Sequence, residues 1–234
     1  MKVFSSQRID WLGKIEYFVP VWRRLPISPP NQLTLLRIVL TPFFVYYLFS
    51  PDPVDKRIAL TIFFVAAVTD WYDGYVARRW GFVTRWGKFL DPLADKVLTS
   101  AAFFSFVRIG YADLWMVLVI VVRDFLITIL RTYAEYRNRP IDTSGFAKTK
   151  TFSQLVVIYL FLLRYIVVTD PLFHPSFAAW FEQAVPPPVM EGMMAVVTLM
   201  TAGTGVIYFV KNWSILVHLF TTEPHDHSAE RNPG

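Results

Sequence analysis

Four aspartates form two close pairs, and each pair lies where a strongly apolar segment meets a more polar stretch. Asp70 and Asp73 are three residues apart, and Asp91 and Asp95 are four residues apart. Residues at these spacings share one face of an α-helix, so each pair predicts two carboxylates side by side. Four acids that face one another cannot all stay ionised without cations. The pattern predicts a site for hard divalent ions such as Mg²⁺, with two ions expected, that receives a phosphorylated substrate.

Small residues accompany the acids. Gly74 directly follows Asp73, and Gly87 lies four residues before Asp91. Because glycine has no side chain, a ligand or another backbone can come close at both positions. Ala77 is four residues after Asp73, so the same helix face is expected to carry it.

The composition predicts that these acids lie on membrane-spanning helices. Of the 234 residues, 54% are hydrophobic and 17% are aromatic, which is too apolar for an ordinary soluble domain of this size. We expect an all-α integral membrane protein with six transmembrane helices, preceded by an N-terminal amphipathic helix that lies on the membrane surface. The six apolar segments are 32–50, 57–79, 88–108, 113–137, 149–168 and 190–211.

The predicted organisation has three parts. They are an amphipathic cytoplasmic segment at 1–30, a six-helix membrane domain at 31–220 and a polar tail at 221–234. A short helix is expected around 176–184, in the loop before the last span. The chain contains no cysteine, which excludes disulfides, thiolate metal sites and a cysteine nucleophile. The formal charge of +5 is explained by basic residues on the cytoplasmic side of a membrane protein rather than by nucleic-acid binding.

Basic residues also predict the orientation. They cluster before the first span, between the second and third spans, and around the junction of the fourth and fifth. Since cytoplasmic loops carry an excess of Lys and Arg, both termini are predicted to be cytoplasmic. The helical rise then places Asp70 roughly 13 Å and Asp95 roughly 10 Å inside the cytoplasmic ends of their spans. The acids would lie just below the headgroups, where a lipid pyrophosphate and a soluble acceptor can meet.

Four basic residues predict a separate phosphate site. Arg123 lies well inside the fourth span, Arg131 is eight residues later, and Lys148 and Lys150 lie at the start of the fifth span. Two guanidinium and two ammonium groups around a cytoplasmic cavity can bind the phosphate of an acceptor. The alternative is that they are ordinary cytoplasmic-side charges, paired with Asp124 or with the acidic cluster.

The order of the acids and small residues resembles a known signature. Asp70-x2-Asp73-Gly-x2-Ala-Arg78-x8-Gly-x3-Asp91-x3-Asp95 is similar to that of the CDP-alcohol phosphotransferases, with all eight fixed positions present. These membrane enzymes transfer a phosphatidyl group, or a similar group, from a CDP-linked donor to an alcohol. The resemblance implies a homodimer in the cell inner (cytoplasmic) membrane.

The resemblance also implies roles for individual residues. Three carboxylates would bind Mg²⁺ or Mn²⁺, and Asp95 would be the general base and also touch a metal ion. The acceptor would attack the donor phosphate directly, without a covalent enzyme intermediate. The implied metal ligands are Asp70, Asp73, Asp91 and Asp95. The implied contacts to the CDP part of CDP-diacylglycerol are Asp73, Gly74, Ala77, Arg78 and Gly87.

Segments outside the signature narrow the resemblance to one branch of the family. The stretches 30–37, 68–74, 89–97 and 123–154 look like those of the bacterial phosphatidylglycerophosphate synthases. That branch uses glycerol 3-phosphate as acceptor. The sequence leaves open the same chemistry with inositol phosphate, or with phosphatidylglycerol in a cardiolipin-forming step. It also leaves open two other classes: a cation transporter that uses the Asp cluster, and a non-catalytic scaffold protein.

Overall fold

A computed structural model describes residues 29–80, 85–137 and 145–221, and its side chains are described over 35–69, 92–135, 137, 149–214 and 217. Within those ranges the fold is entirely helical, with seven helices and no strand. The helices are α1 (Pro29–Leu48), α2 (Pro53–Trp80), α3 (Arg85–Ile109), α4 (Leu114–Tyr136), α5 (Gly145–Thr169), α6 (Pro175–Ala184) and α7 (Pro187–Thr221). This confirms the all-α prediction.

Local residue chemistry sets several of the helix ends. Pro53 and Pro187 begin α2 and α7, where the missing amide proton would have no helical partner in any case. Before α2, the Oδ1 of Asp52 accepts a hydrogen bond from the backbone N–H of Val54 at 2.8 Å. After α3, Gly110 turns the chain with a φ of 85°, a conformation that favours glycine.

The long helices follow the predicted segments, with differences of up to four residues at most of their ends and a larger one at the end of the last helix. The second begins at Pro53 rather than at residue 57, the fifth begins at Gly145 rather than at residue 149, and the last continues to Thr221 rather than ending at residue 211. The extension has a simple reason, because no proline or glycine occurs between Lys211 and Thr221 and apolar residues recur through it. The predicted amphipathic helix of the first 28 residues and the polar tail after Thr221 lie outside the described residues.

Among the residues whose side chains are described, two helical segments are long and apolar enough to cross a membrane by length and composition alone. They are Thr149–Thr169 of α5 and Pro187–Ser214 of α7, and within the same residues Leu35–Leu48 of α1 is a shorter apolar segment. In α4, the charged residues Arg123 and Asp124 interrupt the apolar surface. Six membrane spans therefore stay a prediction.

The chain divides into two compact units, Met1–Leu98 and Thr99–Gly234. In the first unit α1 packs along α2, and the rings of Phe44 and Phe63 lie 5.4 Å apart in this contact. Leu48 and Ala59 are fully buried beside them. This helix pair supports the segment of α2 that leads to the first two aspartates.

The second unit is built around α5 and α7. α4 and α5 each pack on α7, and α6 packs on α5. The ring of Phe161 in α5 lies 5.3 Å from that of Phe106 in α3 and 6.0 Å from that of Tyr111 in the loop after it. A smaller cluster, formed by Ile127 and Ala134 of α4 with Tyr208 of α7, packs at another point of the unit.

Arg164 joins α5 to two loops. Its Nε donates a hydrogen bond to the carbonyl of Val185 at 2.9 Å, and its Nη1 donates to the Oη of Tyr111 at 2.6 Å. The guanidinium also lies over the Tyr111 ring, 5.0 Å from its centre. Burial raises the pKa of the Tyr111 phenol, and the charge of Arg164 opposes that shift. A neutral phenol and a buried cation therefore hold this end of the unit together.

The Phe161 ring gives a test of this packing. Phe161→Ala removes a fully buried side chain, so we expect the free energy of unfolding in detergent to fall by about 3–5 kcal/mol. Phe152→Ala is the matched control on the same helix, because that ring is 68% exposed. We expect the control to change stability by less than about 0.5 kcal/mol. Equal stability of the two variants would contradict the packing described for Phe161.

Candidate active site

Both pairs of aspartates lie within helices, as their spacing predicts. α2 carries Asp70 and Asp73, and α3 carries Asp91 and Asp95. In a regular helix, three residues advance about 4.5 Å and four residues about 6 Å, and both steps return close to the starting face. The helical backbone is therefore compatible with two carboxylates on one face of each helix.

Asp95 is the one member of the acidic set whose side chain is described. Its carboxylate is 34% exposed, and its Oδ2 lies 3.4 Å from the Nζ of Lys96. A solvent-reachable carboxylate can exchange a proton with a substrate, and the adjacent ammonium balances part of its charge. Lys96, which the sequence analysis did not assign to the site, is thus a direct neighbour of the predicted base.

The other predicted donor-site side chains lie outside the described ones. They are Asp70, Asp73, Gly74, Ala77, Arg78, Gly87 and Asp91. Among the side chains that are described, no group of three or more His, Cys, Asp or Glu residues could hold a metal ion. The residue types still suit a metal site: α2 and α3 carry aspartates, and carboxylate oxygens are ligands that Mg²⁺ and Mn²⁺ prefer.

A buried cluster of charge in the second unit brings together two of the predicted acceptor residues. The Oδ1 of Asp124 accepts a hydrogen bond from the Nη1 of Arg123 at 3.1 Å, and it also contacts the Nζ of Lys150. The Oδ2 of Asp124 accepts from the Nε2 of Gln154 at 3.3 Å. One carboxylate on α4 therefore holds a neighbouring guanidinium and two side chains of α5.

The cluster differs from an open basic pocket in its exposure. The Lys150 side chain is only 2% exposed, whereas that of Arg123 is 15% exposed. Arg131 is exposed two turns further along α4, and the side chain of Lys148 lies outside the described ones. The pairing with Asp124, which the sequence left as an alternative, is present for Arg123 and Lys150. A role in phosphate binding stays a prediction for all four basic residues.

α7 supplies a further contact to Arg123. The Oγ1 of Thr204 accepts a hydrogen bond from the Nη2 of Arg123 at 2.9 Å. The backbone at Gly205 lies against the aliphatic stem of the same side chain. The two residues are 81 positions or more from Arg123 in the sequence, so local patterns give no signal of this contact. Gln154 could have been found, since it is four residues after Lys150 and shares its helix face.

Comparison with known proteins agrees with the signature. Residues 27–222 match the family model of the CDP-alcohol phosphatidyltransferases. The match begins just before α1 and ends just after α7, and it includes both pairs of aspartates and the Asp124 cluster. The chain belongs to this family and is a phosphatidyltransferase enzyme.

Relatives from two bacteria are similar over most of their length. The chain is 35% identical over 199 residues to a protein of Bacillus subtilis (strain 168) named CDP-diacylglycerol–glycerol-3-phosphate 3-phosphatidyltransferase, covering 80% of this chain and 96% of the relative. It is 42% identical over 140 residues to a protein of the same name from Escherichia coli (strain K12), covering 58% of this chain and 76% of the relative.

The Asp124 cluster predicts a large effect on stability. Asp124→Asn removes the negative charge that contacts the Lys150 ammonium, which is almost fully buried, so we expect stability in detergent to fall by about 3–5 kcal/mol. Thermal unfolding measures this change. Adding Lys150→Met should recover part of the loss, because the buried charge is then gone as well.

Asp113→Asn is the matched control for that experiment. Asp113 precedes α4 and accepts a hydrogen bond from the Nε1 of Trp115 at 3.3 Å in an exposed position. We expect a change of less than about 0.5 kcal/mol for the control. Asp124→Asn with the same unfolding temperature as Asp113→Asn would show that the cluster does not stabilise the fold.

Proposed function

We propose that this enzyme transfers a phosphatidyl group from CDP-diacylglycerol to glycerol 3-phosphate. The products would be phosphatidylglycerol phosphate, an intermediate of phospholipid biosynthesis, and CMP. The observation that carries the proposal is the 35% identity over 96% of the length of the Bacillus subtilis relative, whose name states this reaction. Arg123 keeps N–H donors that its bonds to Asp124 and Thr204 do not use, and such donors suit an acceptor that itself carries a phosphate.

The donor end of the site would be formed by α2 and α3. Asp70, Asp73, Asp91 and Asp95 would hold two Mg²⁺ or Mn²⁺ ions, for which an all-carboxylate set is suited. When bound, such ions neutralise a pyrophosphate and stabilise a phosphate leaving group. The CDP part would lie along the neighbouring small residues, which leave room for it, and against one guanidinium. These contacts would come from Asp73, Gly74, Ala77, Arg78 and Gly87.

Asp95 would act as the general base. Its carboxylate would take the proton of the free primary hydroxyl of glycerol 3-phosphate, and that oxygen would form a bond to the donor phosphorus that carries the diacylglycerol. The bond from this phosphorus to the oxygen of CMP would break, and CMP would leave with the electron pair. The exposure of Asp95, 34% of its side chain, supports access by a soluble acceptor. Attack is direct, so no group becomes attached to the enzyme.

The acceptor phosphate would be bound by Arg123, Arg131 and Lys148, and Lys150 would contribute indirectly. A guanidinium carries five N–H donors, and within the described part of the chain Arg123 uses two of them, toward Asp124 and Thr204. The remaining donors on its terminal nitrogens suit phosphate oxygens. Lys150 would act through Asp124, because its own ammonium is buried against that carboxylate.

The setting would be the cell inner (cytoplasmic) membrane. Six long helices match six spans in number. The amphipathic segment predicted for residues 1–30 would lie on the membrane surface, and both termini and the active site would be on the cytoplasmic side. Apolar side chains that are exposed on α7, such as Leu199, Val206 and Val210, suit contact with lipid or with a second copy in a homodimer.

CMP release by the purified protein tests the reaction and the base together. We expect release from CDP-diacylglycerol with glycerol 3-phosphate and Mg²⁺, and loss of release with a chelator. Asp95→Asn should lower kcat by about 10²–10⁴-fold, because the amide cannot take the proton. Asp113→Asn, the exposed control just before α4, should keep wild-type turnover.

Other acceptors distinguish the competing functions. Release with inositol phosphate or phosphatidylglycerol, but not with glycerol 3-phosphate, would overturn the proposed acceptor and leave the donor site in place. A folded protein that releases no CMP with any of these acceptors would contradict the reaction. Wild-type turnover in a folded Asp95→Asn variant would contradict the role of the base.

A further inference from the structure

Two adjacent residues in the middle of α7 face the side chain of Arg123. Thr204 contacts its terminal Nη2, and Gly205 lies beside its stem. We propose that Thr204 and Gly205 are positioning residues that fix the direction of the Arg123 guanidinium and thereby set the affinity for the acceptor phosphate. The proposal rests on the proposed function, in which Arg123 binds that phosphate.

The hydroxyl of Thr204 is oriented to accept. Its Oγ1 lies 2.8 Å from the carbonyl of Met200 and 3.0 Å from the carbonyl of Thr201, so its proton is directed back into the helix. The lone pairs of the oxygen are then turned away from the helix, where the Nη2 of Arg123 donates to one of them at 2.9 Å. Thr204 thus presents a fixed acceptor rather than a freely rotating hydroxyl.

Gly205 provides the space that the arginine stem occupies. A Cβ at this position would lie 3.1 Å from the Cγ and 3.4 Å from the Nε of Arg123. The first distance is shorter than an ordinary van der Waals contact, so an alanine would force the stem to shift by a few tenths of an ångström. Because Cγ is near the backbone end of the side chain, a shift there moves the whole guanidinium.

Gly203 shows that this contact is specific to one glycine of α7. It lies two residues before Gly205, and a Cβ added to it would meet nothing within 4 Å among the described residues. Glycine within a helix is less favourable than alanine at either position. Close packing against Arg123 explains the glycine at 205, whereas no contact in the described part of the chain requires one at 203.

Together the contacts leave the guanidinium few orientations. Asp124 accepts from Nη1, Thr204 accepts from Nη2, and Gly205 limits the stem. Two acceptors on the two terminal nitrogens define the plane of the group, and a planar fork binds phosphate well only when that plane is correct. The buried Nε has no hydrogen-bond partner within the described part of the chain, so it adds no competing restraint.

Gly205→Ala and Gly203→Ala form the first pair of test variants. Both replace a glycine of the same helix, so alanine gains helix propensity at both positions, and we expect Gly203→Ala to keep or raise the unfolding temperature in detergent. At Gly205 the same gain is opposed by the contact with the Arg123 stem, so the unfolding temperature of Gly205→Ala is measured to show that the variant is folded. We expect Gly205→Ala to raise the KM for glycerol 3-phosphate by about tenfold, in line with the loss of one well-formed contact to a charged group. Its KM for CDP-diacylglycerol and its kcat should change by less than about twofold, and Gly203→Ala should leave all three constants unchanged.

Thr204→Val and Thr204→Ser form the second pair. Valine keeps the shape of threonine and removes the acceptor, so we expect an increase of about tenfold in the KM for glycerol 3-phosphate. Serine keeps the hydroxyl, and its KM should return to within about threefold of the wild-type value. Rescue by serine separates the hydrogen bond from a general effect on the fold, and it decides the question if Gly205→Ala does not fold.

The wild-type assay comes first, so that two failures can be told apart. A wild-type protein that releases no CMP with glycerol 3-phosphate would overturn the proposed function, and this role would fall with it. An active wild type combined with equal acceptor KM values for Gly205→Ala and Gly203→Ala, or for Thr204→Val and Thr204→Ser, would overturn the positioning role alone. A parallel rise in the KM of both substrates would also overturn it, because that result indicates a structural effect.

Discussion

The carboxylate of Asp124 lies within reach of three side chains from two helices, and it compensates a charge that could not otherwise stay buried. Lys150 is 2% exposed, so its ammonium depends on a nearby anion. Arg123 shares the same oxygen, and Gln154 satisfies the other. Because both oxygens are engaged, the carboxylate has little freedom to rotate. The positions of α4 and α5 are therefore linked through a group that is costly to disturb.

In both regions with a proposed chemical role, a charged side chain lies next to one of opposite charge. Asp95 has Lys96 beside it, and Arg123 has Asp124 beside it, each on its own helix. A lone charge in an apolar setting would be expensive, whereas a charge with a partial partner can remain ionised until a substrate arrives. The phosphate of the proposed acceptor carries the charge opposite to the cations, and the proposed metal ions carry the charge opposite to the acids. Binding of the substrates and metal ions would neutralise the charge that the neighbouring side chains leave uncompensated.

Patterns within one helix were readable from the sequence, and contacts between helices were not. Apolar length predicts the long helices, since it is a local property, whereas Pro53 and Pro187, at which two of them begin, lie before the predicted starts at residues 57 and 190. The Asp pairs and their helical faces follow from spacing alone. The contact between Arg123 and Thr204 joins residues 81 positions apart, so it cannot be predicted from local patterns. Nothing in the sequence distinguishes Gly205 from the other glycines of α7, because its role depends on the position of the Arg123 side chain. The sequence analysis also named Asp124 only as a possible partner, although an acid inside an apolar helix is itself a signal.

α7 is longer than the hydrocarbon core of a bilayer is thick. Its 35 residues measure about 52 Å at the helical rise, whereas the hydrocarbon core of a bilayer is about 30 Å thick. In a chain that crosses the bilayer, such a helix must tilt or project into the headgroups, with Lys211 and the exposed Trp213 as natural interfacial anchors. Since Arg123 is attached to α7 through Thr204, a change of tilt would change the depth of its guanidinium. If Arg123 binds the acceptor as proposed, the acyl length of the surrounding lipid would therefore affect acceptor binding through the tilt of α7.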